Sequence, residues 1–345
     1  MKSIGKLRGL TRLTDAHGHF TMIALDQRPP MAQAIAAARG IDPASVTFAE
    51  MLAAKRLLVK ALAAEASSML FDPNYAVPAA IDLMPSTTSL IVTLEEHRFQ
   101  DGPGGRKSRS IDNWTVEKIR RMGGDAVKVL AWYRPDAAPD VLEHQCAYVR
   151  TIGAECRRYD IPYVLELLVY PFQGSDGHTT DYVQSADKRA ELVIESVREF
   201  AKPEYGVDLF KLETPVPGHA LPEIGDTEGS RKAVREFEAI GALCSDAGIP
   251  WVLLSGGVAP SQFELVLRYA YRAGAQGFLA GRTIWLDALQ NNFPDEQKVL
   301  AELEGDARRR LASLRRLTRE NAQAWSFPGR MGSFEREGDF AMSYA

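Results

Sequence analysis

Three charged side chains stand inside stretches that are otherwise apolar and rich in strand formers. Lys128 lies in Ala126–Trp132 (AVKVLAW), Glu166 in Tyr163–Val169 (YVLELLV) and Lys211 in Asp208–Thr214 (DLFKLET). A charge inside a buried strand is costly unless it is paired or put to use. An ion pair that only fixes strand register would explain one such pair. Three on consecutive strands, each facing the same interior by strand alternation, form the pattern of a reaction centre. The chemistry that wants this set is imine formation. A lysine attacks a ketone carbonyl as the free amine, and a neighbouring cation with partial removal from water favours that form. Lys211 is the expected nucleophile and Lys128 the cation beside it. Glu166 is the group that moves protons as the carbinolamine loses water and the aldol hydroxyl is deprotonated. Asp26, which ends the run Phe20–Asp26 (FTMIALD), is a further acid at the same end.

Anion-binding residues follow other strands. Ser255-Gly256-Gly257 and Gly281-Arg282 place small residues at two loop tips, where backbone N–H groups can approach an oxyanion. Arg282 adds a charge-assisted donor. Gln27 and Arg28, directly after Asp26, are candidates for a second anionic group. Metal chemistry is not expected, because the histidines are not grouped with acids at strand ends. The pair His17 and His19 precedes the first strand, on the opposite face from the expected pocket. No cofactor is expected either, since the imine itself is the electron sink.

The elements that must carry these residues alternate regularly. Eight strand candidates are Phe20–Asp26, Ser67–Asp72, Ser89–Glu95, Ala126–Trp132, Tyr163–Val169, Asp208–Thr214, Trp251–Gly256 and Gly277–Gly281. They are apolar nearly throughout, as strands buried on both faces must be. Helical stretches such as Phe48–Ala66 and Ser185–Phe200 separate them. Repeated parallel βαβ units of this number predict an α/β fold, a single (β/α)8 TIM barrel. Long loops at His97–Asn113, Pro171–Asp187 and Pro215–Gly229 fall on the C-terminal face, where such barrels build active sites. Asp295–Ala324 reads as the closing helix plus one extra helix. The barrel domain is expected over 1–325 and a C-terminal tail over 326–345.

Composition narrows the surroundings. Of 345 residues, 46% are hydrophobic and 25% charged, with a net charge of −4. That balance gives no reason to expect a nucleic acid or an anionic membrane as partner. No apolar run approaches the length of a membrane span, and the N-terminus has no secretory core. Cys146, Cys156 and Cys244 have no CxxC spacing and are expected to be reduced thiols in a cytoplasmic protein. A small-molecule substrate and assembly as a homo-oligomer complete the expectation.

Seven segments resemble one family. ALDQR (Ala24–Arg28), SSMLFDPNY (Ser67–Tyr75), DAVKVL (Asp125–Leu130), PYVLEL (Pro162–Leu167), VDLFKLETPV (Val207–Val216), LLSGGV (Leu253–Val258) and GFLAGRTIW (Gly277–Trp285) occur in order. Together they resemble the tagatose 1,6-bisphosphate aldolase family, which includes the sulfofructose 1-phosphate aldolases. The resemblance implies a class I, Schiff-base aldolase with Lys211 as the imine-forming lysine and Glu166 as the acid/base. It makes Lys128 the second active-site lysine and Asp26 the strand-one acid. The implied reaction cleaves a ketohexose 1,6-bisphosphate, tagatose 1,6-bisphosphate foremost, to dihydroxyacetone phosphate and glyceraldehyde 3-phosphate. Within the same chemistry, 6-deoxy-6-sulfofructose 1-phosphate would yield dihydroxyacetone phosphate and sulfolactaldehyde. A non-catalytic sugar-phosphate sensor would keep the barrel and pocket but need not keep the Lys211–Glu166–Lys128 set. Phe99–Ser110 and the tail beyond about Ala324 depart from the family pattern.

Overall fold

The computed structural model describes residues 3–175, 178, 190–327 and 336–344. Eight parallel strands close a barrel: β1 Phe20–Leu25, β2 Ser68–Phe71, β3 Ser89–Thr93, β4 Ala126–Trp132, β5 Tyr163–Leu168, β6 Leu209–Leu212, β7 Trp251–Leu254 and β8 Gly277–Ala280. Each strand neighbours the next in sequence, and β8 pairs with β1 through Phe20 and Gly277. All eight expected strands are present. Most end one or two residues earlier than expected, and Asp26, Glu95, Ser255 and Gly281, just past the ends of four of them, line the mouth.

Register brings the charges together. Glu166 on β5 is paired with Lys211 on β6, and Lys128 on β4 sits beside Thr93 on β3. The helix expected from Phe48 runs to Leu62. It opens on a capping box in which Thr47 and Glu50 satisfy each other's backbone N–H groups. The helix expected over Ser185–Phe200 is described from Ala190 onward; 185–189 lie outside the described residues. Of the expected loop Pro171–Asp187, only 171–175 and His178 are described.

Three elements were not anticipated. A helix, Ile4–Leu13, sits under the barrel and buries Leu10 and Leu13 against Phe20, Met22 and other inward residues of the floor. Each leucine so buried contributes about 1.5–3 kcal/mol. Trp325 packs on the same cluster, and its backbone N–H donates to Gly18 O at 2.8 Å. The second element is a hairpin, Gln100–Gly102 with Gly105–Lys107, inside the expected loop His97–Asn113. The Arg106 guanidinium is wholly buried there, 4.6 Å from the Phe99 and Trp132 ring centres and 4.9 Å from that of Tyr170. Stacked contacts of this kind fix the hairpin over the pocket mouth.

The third concerns the C-terminal helices. The closing helix is Arg282–Asn292, earlier than expected. The charged stretch after Asp295 forms Glu296–Glu302 and Arg308–Asn321, joined by a π-helical turn at Leu303–Ala307, and packs on Phe48–Leu62 and Pro260–Arg272. In the tail, 328–335 and 345 lie outside the described residues, and a short helix spans Asp339–Ser343. Among the described residues no helix is long and apolar enough to cross a membrane.

Candidate active site

The open end of the barrel holds a pocket enclosing about 920 Å³ of space, open solvent included. Every residue singled out from the sequence lines it: Asp26, Gln27, Arg28, Lys128, Glu166, Lys211, Ser255, Gly256, Gly257, Gly281 and Arg282. Asp72, another acid at a strand end, does not. It pairs with Lys55 behind β1 and β2, where both side chains are fully buried.

At the centre, Glu166 bridges two lysines. Its Oε1 lies 2.9 Å from Lys211 Nζ and its Oε2 lies 2.7 Å from Lys128 Nζ. Lys128 also contacts Asp26 Oδ2 at 2.8 Å and Glu95 Oε1 at 2.5 Å. Burial alone would favour the neutral form of Lys128. The three carboxylates of Asp26, Glu166 and Glu95 outweigh it and hold the ammonium well above the usual lysine range. Burial likewise pushes Asp26 up, but Lys128, Lys211 and Arg28 reverse that and hold its carboxyl well below the usual range. Lys128 is therefore a fixed cation shared among three acids rather than a bare charge beside Lys211. Glu95 is the third of these acids, after Asp26 and Glu166, and sequence reasoning missed it. The signal available was the one that identified Asp26, an acid at the C-terminal end of a buried strand.

The surrounding elements lock this set. Lys55 Nζ donates to the carbonyls on both sides of Asp26, Leu25 O at 2.5 Å and Gln27 O at 3.0 Å, while also bound to Asp72. The backbone that carries Asp26, Gln27 and Arg28 is thereby tied to the end of β2. Glu95 Oε2 accepts from Thr93 Oγ1.

Arg28 lies buried beside this cluster. Its Nη2 donates to Glu95 O at 3.0 Å, and its Nη1 is 3.7 Å from Glu96 Oε1. Arg28 Nε and Nη1 have no hydrogen-bond acceptor among the described residues, nor has Gln27 Oε1 a donor. Buried polar groups are nearly always satisfied, so these atoms are candidates to meet a ligand, the Arg28 N–H groups as donors to an anionic oxygen and Gln27 Oε1 as acceptor from a hydroxyl. His97, 2.5 Å from Glu96, is held below the usual histidine range by burial and by Arg28.

Across the β1–β8 seam, Gly256 and Gly257 adopt φ of 58° and 81°, a conformation that favours glycine. Arg282 Nη2 donates to Gly256 O at 3.3 Å. At Gly281 a Cβ would stand 2.8 Å from both Ala24 O and Gln27 Nε2, so only glycine lets the two strands approach. The helix starting at Arg282 has no side-chain cap, which leaves its first amides as donors for an anion.

The facing wall is apolar: Phe99, Leu130, Trp132, Leu168 and Leu254, with Ser108 among them. Sequence reasoning named none of these. Among the described residues, no three or more His, Cys, Asp or Glu side chains are grouped to hold a metal ion.

The sequence model of the DeoC/LacD family of aldolases matches residues 20–287. The chain is 32% identical to the tagatose 1,6-diphosphate aldolase of Listeria monocytogenes serotype 4a (strain HCC23) over 340 residues, 96% of each chain. It is 31% identical to tagatose 1,6-diphosphate aldolase 1 of Enterococcus faecalis (strain ATCC 700802 / V583) over 331 residues, 93% of this chain and 98% of the relative. Among solved structures, a Schiff-base-forming fructose-1,6-bisphosphate aldolase superposes with a TM-score of 0.52 at 17% identity, over 86% of this chain and 98% of that one. That last likeness is one of fold.

Proposed function

The chain belongs to the DeoC/LacD family of aldolases, and from that premise we propose that it cleaves a ketohexose 1,6-bisphosphate through an imine on Lys211. Tagatose 1,6-bisphosphate is the first candidate, the substrate in the names of its relatives. The products are dihydroxyacetone phosphate and glyceraldehyde 3-phosphate. The observation that carries this reading is the carboxylate of Glu166 held 2.9 Å from Lys211 and 2.7 Å from Lys128.

In this reading Lys211 gives a proton to Glu166 and its free amine attacks C2. Glu166 returns the proton as the carbinolamine hydroxyl leaves as water. With the imine formed, Glu166 takes the C4 hydroxyl proton. The C3–C4 bond breaks, its electron pair passes into the enamine, and the aldehyde departs. Protonation at C3 and hydrolysis then release dihydroxyacetone phosphate. Lys128, held charged by three acids, does not compete as nucleophile and stabilises negative charge on Glu166 and on the reacting oxygen. Asp26 and Glu95 keep Lys128 in place.

The C1 phosphate sits on the amides of Ser255–Gly257 and the start of the Arg282 helix, with Arg282 as charged donor. Arg28, whose Nε and Nη1 have no hydrogen-bond acceptor among the described residues, takes the group at C6. A sulfonate there would meet the same guanidinium, so relative kcat/KM on the bisphosphate and on 6-deoxy-6-sulfofructose 1-phosphate decides between them.

The test is borohydride reduction with dihydroxyacetone phosphate, followed by peptide mass analysis. The adduct is expected on the peptide holding Lys211, and Lys211→Ala should abolish both adduct and turnover. An adduct on Lys128 would reverse the two lysines' roles. No adduct at all would leave the sensor reading.

A further inference from the structure

Ser108 follows the hairpin, lines the pocket and is 3% exposed. Every other hydrogen-bonding group it has is occupied. Its backbone N–H donates to Gln145 Oε1 at 2.8 Å, and its carbonyl lies 2.8 Å from His144 Nε2. Its hydroxyl oxygen accepts from Gln145 Nε2 at 3.0 Å and from the backbone N–H of Trp132 at 3.4 Å.

The Gln145 amide cannot be turned round. Its Nε2 also donates to Trp132 O at 2.5 Å. A flip would set oxygen against that carbonyl and N–H against the Ser108 N–H. With both lone pairs of Ser108 Oγ engaged, only its own O–H is left to donate, and no acceptor for it exists among the described residues. Gln145 is itself wholly buried, so this arrangement is rigid.

We infer that Ser108 binds substrate: it is a pre-set hydrogen-bond donor to an oxygen on the half that departs as the aldehyde. The inference rests on the imine reading above, and the barrel's geometry supplies the orientation. Ser108 is fastened to Trp132, at the end of β4. In a closed ring of eight strands, β4 lies four strands from β8 in either direction. β7 lies three strands away, so the C1 phosphate assigned to the β7 and β8 loops sits across the pocket from Ser108. Whatever reaches Ser108 belongs to C4–C6. Phe99, Trp132 and Leu168 line the same pocket, an apolar wall beside which little water competes for the bond. The partner is either an oxygen of the C6 anion or the C5 hydroxyl.

The experiment compares wild type with Ser108→Ala, which deletes one oxygen and leaves Gln145 Nε2 bonded to Trp132 O. For tagatose 1,6-bisphosphate cleavage, kcat/KM should fall roughly 10- to 150-fold if the partner oxygen is charged and about 2- to 12-fold if it is neutral. Borohydride trapping of dihydroxyacetone phosphate, which has no far half, should proceed at the wild-type rate. Aldol addition then identifies the oxygen. A penalty seen with glyceraldehyde 3-phosphate and absent with glyceraldehyde places the bond on the phosphate, and a penalty with both places it on the hydroxyl. Unchanged kcat/KM, or trapping that falls in step with cleavage, would overturn the inference while leaving the imine reading intact. Failure of wild type to trap the adduct would remove both.

Discussion

Replacing Lys128 with methionine keeps the length and apolar stem of the side chain and deletes the ammonium shared by Asp26, Glu95 and Glu166. Those contacts are 2.8, 2.5 and 2.7 Å, all buried. Removing one partner of a buried ionic cluster costs about 3–5 kcal/mol. Unfolding entropy is about 2.1 cal/mol/K per residue, or roughly 0.7 kcal/mol/K for a chain of this length. The unfolding midpoint should therefore fall about 4–7 °C at pH 7. The sign of the pH dependence follows from the shifts. Asp26 is held below its unfolded value near about 3.9, so its contribution is present above that value and is lost as pH falls through its folded one. Lys128 is raised, so its contribution is complete throughout the range below the unfolded lysine value. In the variant three acids crowd together with Lys211 and Arg28 to offset them, and a proton taken up by the cluster relieves them. Over two pH units one proton is worth up to about 2.7 kcal/mol. The gap between wild type and variant should thus narrow by up to about 4 °C between pH 7 and pH 5. Scanning calorimetry at the two pH values measures it. A gap of the same size at both would refute the shared-cation description.

Glu166→Gln keeps shape and removes the base, and turnover should fall roughly 10²–10⁴-fold while substrate still binds; near wild-type turnover would transfer the role to Asp26 or Glu95. Arg282→Ala removes one charge-assisted contact, about 1.5–3 kcal/mol, and should raise KM about 10- to 150-fold for all C1-phosphate substrates alike. Arg28→Ala should instead penalise bisphosphate and 6-sulfonate substrates unequally, and the opposite pattern would mean the sugar lies the other way round. Activity should survive prolonged chelation, because the acids at the strand ends already hold an ammonium; activity lost to a chelator and restored by zinc would overturn the imine chemistry.

The legible part of this molecule was its repeated strand. A strand buried on both faces has to be apolar, so Lys128, Glu166 and Lys211 stood out against AVKVLAW, YVLELLV and DLFKLET, and alternation put them on one face. Glu95 closed the expected strand Ser89–Glu95, as Asp26 closed the first, but with Glu96 and His97 directly after it nothing local set it apart from the start of a polar loop. The hairpin was hidden for a related reason. Its strands are three residues each, too short for a period, and they are held by the Arg106 stack rather than by an apolar core. Ser108 could not be found from sequence at all. Its importance comes from Gln145 and Trp132, 37 and 24 residues away, and a serine after a glycine- and arginine-rich loop has nothing local to mark it. Asp72 shows the converse. Its position at the end of β2 matched that of Asp26, yet it turns outward to Lys55.

The seam between β1 and β8 also dictates an order of assembly. Phe20 pairs with Gly277, so the ring cannot shut until nearly all of the chain has left the ribosome. The strands bearing Lys128, Glu166 and Lys211 are consecutive and can zip together earlier. Asp26, however, reaches Lys128 from the first strand, and Gly281 meets Ala24 only when the last strand docks. In the proposed reading, a nascent or refolding chain therefore holds its nucleophile before it holds the cradle for the C1 phosphate, which follows β7 and β8. Recovery of activity after dilution from denaturant should lag the return of helical circular dichroism, since long-range closure is the slow step.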